Sequence, residues 1–398
     1  MNIKKNKKYI FIVILIFLIS IGFAYLSSTL NITGLTRVMG NNWNIYFDNI
    51  QYVRGQDFEI TAPTTTGTTT TSVSYEVFLP SPGDVYKFNI DIVNAGSLDA
   101  MVKVVTDTEL TDAQKKYASY YVTYSDGISC DDYQLLPKNS TDTLSVMVAY
   151  NRDILEEDLP DTDKSITVTF HIEFEQATSK ATARNHITVV NRANNNTLSV
   201  GDEIALGDEH FFILETNPES YKLMTKYLLN TDQKKQSGAS PTRVKFSNIV
   251  YWYNNNSFGS YGVNYLNNVI YDRSKSAETG DNYSVVYHVN NYLNTLDSID
   301  MKYIEGRLLT IMEAYKYGCV YVSGGGNCSA VPDNLKFIYY NNGGNYWLGS
   351  FSGSLTSPGY VWNLGGSTTY SYLGGTDTSL ENRTQYIRPV IEIPALDI

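Results

Sequence analysis

Aromatic residues gather near the C-terminus in a pattern that is typical of binding surfaces. Tyrosines and tryptophans between residues 339 and 375 are set among Gly, Ser and Asn. Rigid rings provide contact area, and small polar residues provide adaptable hydrogen bonds. A sugar could also stack its apolar face on such a ring. The candidate ligand-binding residues are Tyr346, Trp347, Tyr360, Trp362, Tyr370 and Tyr372.

The same residues also fit a structural role. Tryptophans can fill the core of a sheet, and tyrosines often lie at its boundary with the hydroxyl group in water. We favour the core role for Trp347 and Trp362. Both roles stay open for Tyr360, Tyr370 and Tyr372.

The chain has three cysteines, which allow at most one disulfide within the chain. Cys319 and Cys328 flank a run of three glycines, and they are the candidates for a local disulfide in an oxidising compartment. No CxxC pair is present, so the sequence predicts no thiolate metal site or redox site. Cys130 is then left as a single buried thiol.

No catalytic constellation is recognisable in the sequence. It lacks the nucleophile elbow G-x-S-x-G, the H-E-x-x-H zinc motif, a Walker loop and a dinucleotide fingerprint, and its four histidines are scattered. The acidic group Glu156 to Asp163 offers oxygen ligands for calcium, but without the Asp-x-Asp-x-Asp-Gly spacing we prefer a solvated loop. We therefore predict a protein that is not an enzyme and has no metal or cofactor.

An apolar segment at the N-terminus sets the compartment of all these residues. Tyr9 to Leu26 carries no charge, and four lysines lie directly before it. Such a segment can span a bilayer as a helix with the lysines on the cytoplasmic side. The small pair Gly22 and Ala24 equally fits the processing site of a cleaved leader. Residues 1–28 are thus predicted to be a signal peptide or a signal anchor, and the remainder is predicted to be extracytoplasmic, at the cell surface or secreted.

Length and composition narrow the class of protein. A chain of 398 residues is too long for one domain of ordinary size, so two folded units are expected. The formal net charge of -11 disfavours binding to a nucleic-acid backbone. Abundant tyrosine, with only 18% charged residues, is typical of a β-rich exported protein.

Residues 29–176 have the periodicity of a β-sandwich. In Ser165 to Gln176 apolar and polar residues alternate, which indicates a half-buried strand, and Phe88 to Ile92 and Leu144 to Tyr150 repeat the pattern. Several such strands predict an antiparallel sandwich. A helix is predicted from Asp112 to Tyr117 behind a Thr-x-x-Gln capping box. The polar stretch Thr61 to Ser72 is predicted to be an exposed hairpin loop.

The order of segments in this region resembles a known group. The motifs are FAYLSSTLNITG after the apolar run, then NWNIYFDNIQ, SPGDVYKFNIDIVNAGSLDA and YYVTYSDG. Together they look like the exported β-sandwich proteins of Gram-positive bacteria related to TasA and camelysin. That group includes subunits of biofilm-matrix fibres, so the resemblance implies self-association. The metalloprotease activity described for camelysin is not expected, because H-E-x-x-H is missing.

The composition changes at residues 177–195, which we predict to be a linker, with His186 to Val190 able to form a bridging strand. Residues 196–398 are predicted to be a second, α+β domain. It opens with a hairpin around Gly207 and contains helices from Tyr283 to Leu296 and from Ile311 to Tyr317, the latter behind a Thr-x-x-Glu capping box.

This second region also resembles known proteins. The motifs GRLLTIMEAYKYGC, YWLGS, VWNLGG and IRPVIEI occur in the order of an uncharacterised bacterial surface module. That module is itself distantly similar to the C-type lectin and formylglycine-generating-enzyme folds. The calcium-lectin signatures Glu-Pro-Asn and Trp-Asn-Asp are absent, and the cysteine spacing differs from that of the oxidase. Neither chemistry is therefore expected.

The sequence as a whole predicts a mainly β protein with an N-terminal apolar helix, an antiparallel β-sandwich and a C-type-lectin-like domain. We expect a bacterial adhesion or ligand-binding protein in which the sandwich is a stalk that presents the C-terminal recognition domain. Its partner would be an extracellular glycan or protein, with the membrane contacted through residues 9–26 if the leader is uncleaved. The alternative is a structural subunit of an extracellular matrix fibre that associates with itself.

Overall fold

The computed structural model describes residues 41–65, 71–152, 154–192, 197–230, 235–237, 240–245, 285–322, 325–339, 345–354, 357–367, 370–377 and 384–396. The chain from Asn42 onward forms one compact unit. The apolar segment Tyr9 to Leu26 lies outside the described residues. Within those ranges, no helix is long and apolar enough to span a membrane.

The described residues up to Gln176 form a β-sandwich. Its strands are β1 (Ile45–Arg54), β2 (Glu59–Thr65), β3 (Ser72–Phe78), β4 (Val85–Asn94), β5 (Ala100–Asp107), β6 (Ala118–Tyr124), β7 (Leu135–Leu136), β8 (Ser140–Tyr150) and β9 (Ser165–Gln176). One antiparallel sheet has the order β1-β4-β8-β6, and we call it the inner sheet. The other has the order β2-β3-β9-β5-β7, and we call it the outer sheet.

Aromatic contacts join the two sheets. The rings of Phe47 in β1 and Phe170 in β9 lie 5.4 Å apart, and those of Tyr75 in β3 and Phe88 in β4 lie 5.1 Å apart. Along β9, buried and more exposed residues alternate as the sequence predicts. The expected antiparallel sandwich is therefore confirmed.

In the inner sheet, the second half of β8 is buried on both faces. In β8 every residue from Leu144 to Tyr150 is buried, although alternation alone would expose every second one. On the second face, Val85, Met147 and Ala149 form a small apolar cluster of their own. Beside this cluster, the buried Lys87 ammonium donates a hydrogen bond to the carbonyl of Ala395, 2.6 Å away. The C-terminal part of the chain thus covers the face of the inner sheet that a free sandwich would expose.

Part of the predicted threonine-rich loop is a strand. Thr61, Thr64 and Thr65 belong to β2 and pair with β3, while residues 66–70 lie outside the described ranges. Threonine is β-branched and suits an extended backbone, particularly at the edge of a sheet. The prediction of a loop over the whole stretch from Thr61 to Ser72 was therefore wrong for its first five residues and for Ser72, which begins β3.

Beyond residue 176 the described strands are β10 (Ile187–Asn191), β11 (Glu203–Leu206), β12 (Glu209–Thr216), β13 (Ser220–Thr225), β14 (Val244–Lys245), β15 (Glu305–Leu308), β16 (Val320–Val322), β17 (Gly325–Asn327), β18 (Tyr346–Ser354), β19 (Ser357–Ser367), β20 (Tyr370–Asp377), β21 (Thr384–Gln385) and β22 (Pro389–Pro394). The largest sheet has the order β10-β11-β12-β13-β22-β15. A three-stranded sheet, β18-β19-β20, carries the aromatic stretch, and we call it the aromatic sheet. The pairs β14-β21 and β16-β17 complete the described sheets.

Three α-helices are described: α1 (Asp112–Tyr117), α2 (Val285–Asp297) and α3 (Ile311–Lys316). Both predicted capping boxes are present, at Thr111 before α1 and at Thr310 before α3. In each box the threonine hydroxyl satisfies a free N–H group of the first turn, so even these short helices have a defined start. Gly318 follows α3 with φ +101°, a conformation that favours glycine.

The predicted linker contacts both the sandwich and the C-terminal part of the chain. Its Arg184 guanidinium donates to both carboxylate oxygens of Asp126, at 2.9 and 2.8 Å, and to Asp142 at 3.0 Å. A few residues later β10 pairs with β11, as the proposed bridging strand would. The sandwich and the C-terminal part also meet directly, because the Ser129 amide donates to the Asp300 carbonyl at 2.9 Å. The described residues of the two parts therefore form one body, while the domain boundary at residues 177–195 stays a prediction.

Candidate functional site

Strand pairing brings all six candidate ligand-binding residues into the aromatic sheet. Tyr346 and Trp347 lie on β18, Tyr360 and Trp362 on β19, and Tyr370 and Tyr372 on β20. The central strand β19 pairs antiparallel with both neighbours, so residues distant in sequence become adjacent in the sheet. The sequence indicated each of these residues separately. The structure shows that they lie in the same sheet.

Five of the six pair across the sheet with a small or polar residue. The pairs are Trp347 with Asn363, Tyr360 with Asp377, Trp362 with Gly375, Tyr370 with Ser367 and Tyr372 with Gly365. The side chains of these five aromatic residues lie outside the described part of the structure, so their roles as core or surface residues remain as predicted. In each of these five pairs, the strand register places the aromatic residue opposite a small or polar residue.

Tyr346 differs from the other candidates because its side chain is described and fully buried. Its hydroxyl donates a hydrogen bond to the carbonyl of Ile338, and its ring lies 5.7 Å from the guanidinium carbon of Arg388. Burial raises the pKa of the Tyr346 hydroxyl, which therefore stays protonated. Tyr346 belongs to the core beneath the aromatic sheet, and we remove it from the candidate binding surface.

Arg388 was not among the residues predicted from the sequence, and its side chain is completely buried. Its guanidinium donates to the carbonyls of Thr225 at 2.8 Å, Lys226 at 3.3 Å and Phe337. These carbonyls belong to the end of β13 and to the 3-10 helix Asp333–Ile338. Arg388 therefore fixes both segments to the base of the aromatic sheet. One arginine before a proline gives no periodic pattern, so nothing in the sequence pointed to this role.

The candidate disulfide is present in the structure. Cys319 and Cys328 are bonded and buried, and they flank the β16-β17 hairpin. Strand β17 contacts β20, the last strand of the aromatic sheet. The disulfide thus holds the base of a hairpin that supports the sheet. Cys130 is a buried free thiol, and burial raises its pKa to about 12, so it is a poor nucleophile.

A network of ion pairs connects the largest sheet to α3. Arg307 donates to both carboxylate oxygens of Glu313 at 2.7 Å, and Lys222 donates to the same carboxylate at 2.9 Å. Burial alone would raise the pKa of Glu313, but hydrogen bonding and attraction from Arg307 outweigh it and hold this pKa well below the usual range. Because Glu313 also completes the capping box of α3, the network is structural.

Glu209 forms a second buried polar group. Its carboxylate accepts hydrogen bonds from the Tyr292 hydroxyl at 2.6 Å and from the backbone amide of Gln236 at 3.2 Å. These bonds fix α2 to β12. Burial raises the pKa of Glu209 despite the donors. Among the described residues, no group of three or more His, Cys, Asp or Glu side chains could hold a metal ion.

A cleft of about 260 Å³ lies where the sandwich meets the C-terminal part, and we call it the junction cleft. Tyr121, Arg152 and Leu155 line it from the sandwich, and Ile304 and Glu392 line it from the other side. Arg152 forms a two-pronged ion pair with Glu219 across this junction, at 2.7 and 2.9 Å. Arg152 and Glu219 neutralise each other in this pair. We therefore interpret the cleft as part of the contact between the two parts of the chain.

Comparison of the chain with protein-family models, with curated proteins and with solved structures finds no match. The resemblances to TasA and camelysin and to lectin-like surface modules therefore stay predictions from sequence motifs. The fold itself defines the chain as a mainly β protein with a sandwich and a second, mixed part.

Proposed function

We propose that the chain is an extracytoplasmic ligand-binding protein of a bacterial surface. The observation that carries this proposal is the convergence of Trp347, Tyr360, Trp362, Tyr370 and Tyr372 in one sheet, beside small and polar partners. Aromatic residues among small polar ones are typical of protein surfaces that bind glycans or proteins. The charged and apolar N-terminal segment supports the location, and the sandwich serves as the stalk.

The binding surface can be tested by substitution in the aromatic sheet. We expect Tyr360→Ala, Tyr370→Ala and Tyr372→Ala to reduce binding of the purified chain to a glycan array, or to extracellular proteins displayed on an array, by at least tenfold. The matched control is Tyr133→Ala, which removes an exposed tyrosine of the sandwich. Native binding by all three sheet variants, with native folding, would contradict the assignment.

A fibre subunit remains the second candidate, because one side of the sandwich carries exposed apolar residues. Strands β1 and β2 are edge strands of the inner and outer sheets. Tyr52 and Val53 on β1 and Ile60 on β2 are exposed, as is Trp43 just before β1. Apolar edge strands favour pairing with another chain. The exposed fraction is 47% for Val53 and 55% for Ile60, enough for both to contact a neighbouring subunit.

Lysine substitutions test this alternative. Val53→Lys and Ile60→Lys place a charge on each edge and should stop any growth into large species seen by light scattering. Thr167→Lys, on the central strand β9 of the outer sheet, is the control, since it adds the same exposed charge away from an edge. Assembly that continues unchanged in both edge variants would rule out growth through these edges.

A further inference from the structure

A second pocket, of about 180 Å³, opens at one end of the sandwich, and we call it the tyrosine pocket. Phe78 lines it at the end of β3, Tyr117 at the end of α1 and Tyr150 at the end of β8. The loop Pro160 to Lys164 closes another side. The pocket shares no residue with the aromatic sheet, so it is independent of the proposed function.

Two tyrosines form a corner inside this pocket. The rings of Tyr117 and Tyr150 have centroids 6.3 Å apart and planes inclined by 69°. A flat sugar ring stacks on a single aromatic face, whereas a corner surrounds a compact, rounded group. Phe78 adds a third aromatic side chain to the lining. The shape therefore favours a small ligand group with substituents in several directions.

Strand pairing and hydrogen bonds hold the backbone on both sides of this corner. Ala118, next to Tyr117, pairs with Tyr150 in the inner sheet. The Asn151 amide donates to the Tyr117 carbonyl at 2.8 Å, and its side chain donates to the carbonyls of Lys115 and Lys116 at 3.2 and 3.1 Å. Because both rings are attached to this fixed backbone, binding orders little of the protein, which favours affinity.

The polar groups of the pocket favour a positive ligand. Asp161 and Asp163 line the rim and form no ion pair with any residue in the described ranges, and Lys164 is the one cation among the pocket-lining residues. Tyr150 is nine-tenths buried and lines the same pocket. Two carboxylates and one ammonium leave the lining with a net negative charge.

We propose that the tyrosine pocket binds a small organic cation of the methylated ammonium class. The faces of Tyr117 and Tyr150 attract a cation through their ring quadrupoles, and this attraction is strongest where water is displaced. Asp161 and Asp163 then compensate the charge at the rim, while the methyl groups fill the aromatic corner. A neutral ligand of the same shape would gain the apolar contact but neither electrostatic contribution.

A pair of matched probes tests this proposal. Choline and 3,3-dimethylbutan-1-ol have the same shape and differ in the positive charge, so both are titrated by ligand-observed NMR into the full-length chain in a nonionic detergent. We expect choline to bind at least tenfold more tightly than the neutral alcohol. No binding of choline would overturn the proposal, and equal binding of the two probes would overturn it in favour of a neutral ligand.

Variants locate the choline site. Tyr117→Leu should weaken choline binding at least tenfold, and Asp161→Asn with Asp163→Asn should weaken it at least threefold at low salt. Tyr150→Phe keeps the aromatic ring and should stay within twofold of the native affinity. The two aspartates are exposed, so their variant keeps the fold even if Tyr117→Leu does not. Unchanged choline affinity in the aspartate variant would overturn the proposal.

Discussion

Arg388 connects the largest sheet with the 3-10 helix Asp333–Ile338 and with Tyr346 of the aromatic sheet. A buried guanidinium normally pairs with a carboxylate, yet its described partners are backbone carbonyls from two segments. The bond to Thr225 is fully buried and the bonds to Lys226 and Phe337 are partly buried, so the arginine supplies donors where little water is present. The side chain therefore links β13, the 3-10 helix Asp333–Ile338 and β22 more directly than any apolar contact could.

We expect Arg388→Met to lower the free energy of unfolding by about 3 kcal/mol or more, because it leaves several buried carbonyls without donors, each costing about 1–3 kcal/mol. Urea unfolding followed by circular dichroism measures the change. Arg54→Met, at the exposed end of β1, is the matched control and should change stability by less than about 0.5 kcal/mol. Equal midpoints for the two variants would show that Arg388 has no special role.

Glu313 should make the free energy of unfolding sensitive to acid. Its pKa in the folded chain lies below the ordinary value of 4.5, so folding favours the ionised form. This stabilisation is fully present above about pH 4.5 and is lost as the pH falls through the folded-state pKa. Glu313→Gln keeps an oxygen for the capping box but removes the charge, and it should cost about 3 kcal/mol at pH 7.

Unfolding of Glu313→Gln and of the native chain is compared at pH 7, pH 5 and pH 2.5. The difference between them should persist at pH 5 and shrink at pH 2.5. Glu175→Gln, which changes an exposed carboxylate, should match the native chain throughout. A difference that stays constant down to pH 2.5 would mean that charge is not the source of the effect.

At the scale of elements, local patterns were predicted well and remote contacts were not. Strand β9 was predicted with its observed ends, and α1 and α3 were predicted from their capping boxes, because alternation and caps act within a few residues. The two-sided burial of β8 could not be predicted, since the chain that covers its second face lies more than 200 residues away. The edge strand β2 was missed because a threonine-rich sequence resembles a loop in composition.

The same division applies to the candidate site. The residue types of the aromatic stretch were visible in the sequence, but the placement of all six in one sheet follows from the pairing of β18, β19 and β20. The burial of Tyr346 depends on Arg388 and the 3-10 helix, neither of which is near it in sequence. The spacing of residues in the sequence does not indicate contacts between segments that are distant in sequence.

The disulfide should stabilise the support of the aromatic sheet. Cys319 and Cys328 are separated by nine positions, and closing a loop of that length contributes about 3 kcal/mol in the chain-entropy model. A reducing agent should therefore lower the urea midpoint of the native chain and leave that of Cys319→Ser with Cys328→Ser unchanged. Cys130→Ala should respond to the reducing agent as the native chain does. An equal response of the double serine variant would contradict the prediction.

At the scale of the whole molecule, the sandwich and the C-terminal part should unfold together. The ion pair of Arg152 with Glu219, the bond from Lys87 to Ala395 and the anchoring of Arg184 all join the two parts. A two-part chain held by so many contacts has no free hinge among its described residues. The described residues of the two parts are therefore expected to keep a fixed orientation to each other.

This joint unfolding can be tested by comparing urea unfolding followed by two different probes. Three of the four tryptophans follow residue 196, so tryptophan fluorescence reports mainly on the C-terminal part, while far-UV circular dichroism reports on both. We expect one urea midpoint by both probes. Two separate midpoints in the native chain would show that the parts fold independently.

We propose that this protein displays a binding surface and does not build a fibre. Sedimentation velocity of residues 42–398 over a series of concentrations distinguishes the two roles, because assembly through β1 and β2 would depend on concentration. We expect a single species near monomer mass at every concentration. Growth into large species, abolished by Val53→Lys and Ile60→Lys, would contradict it and establish the fibre subunit instead.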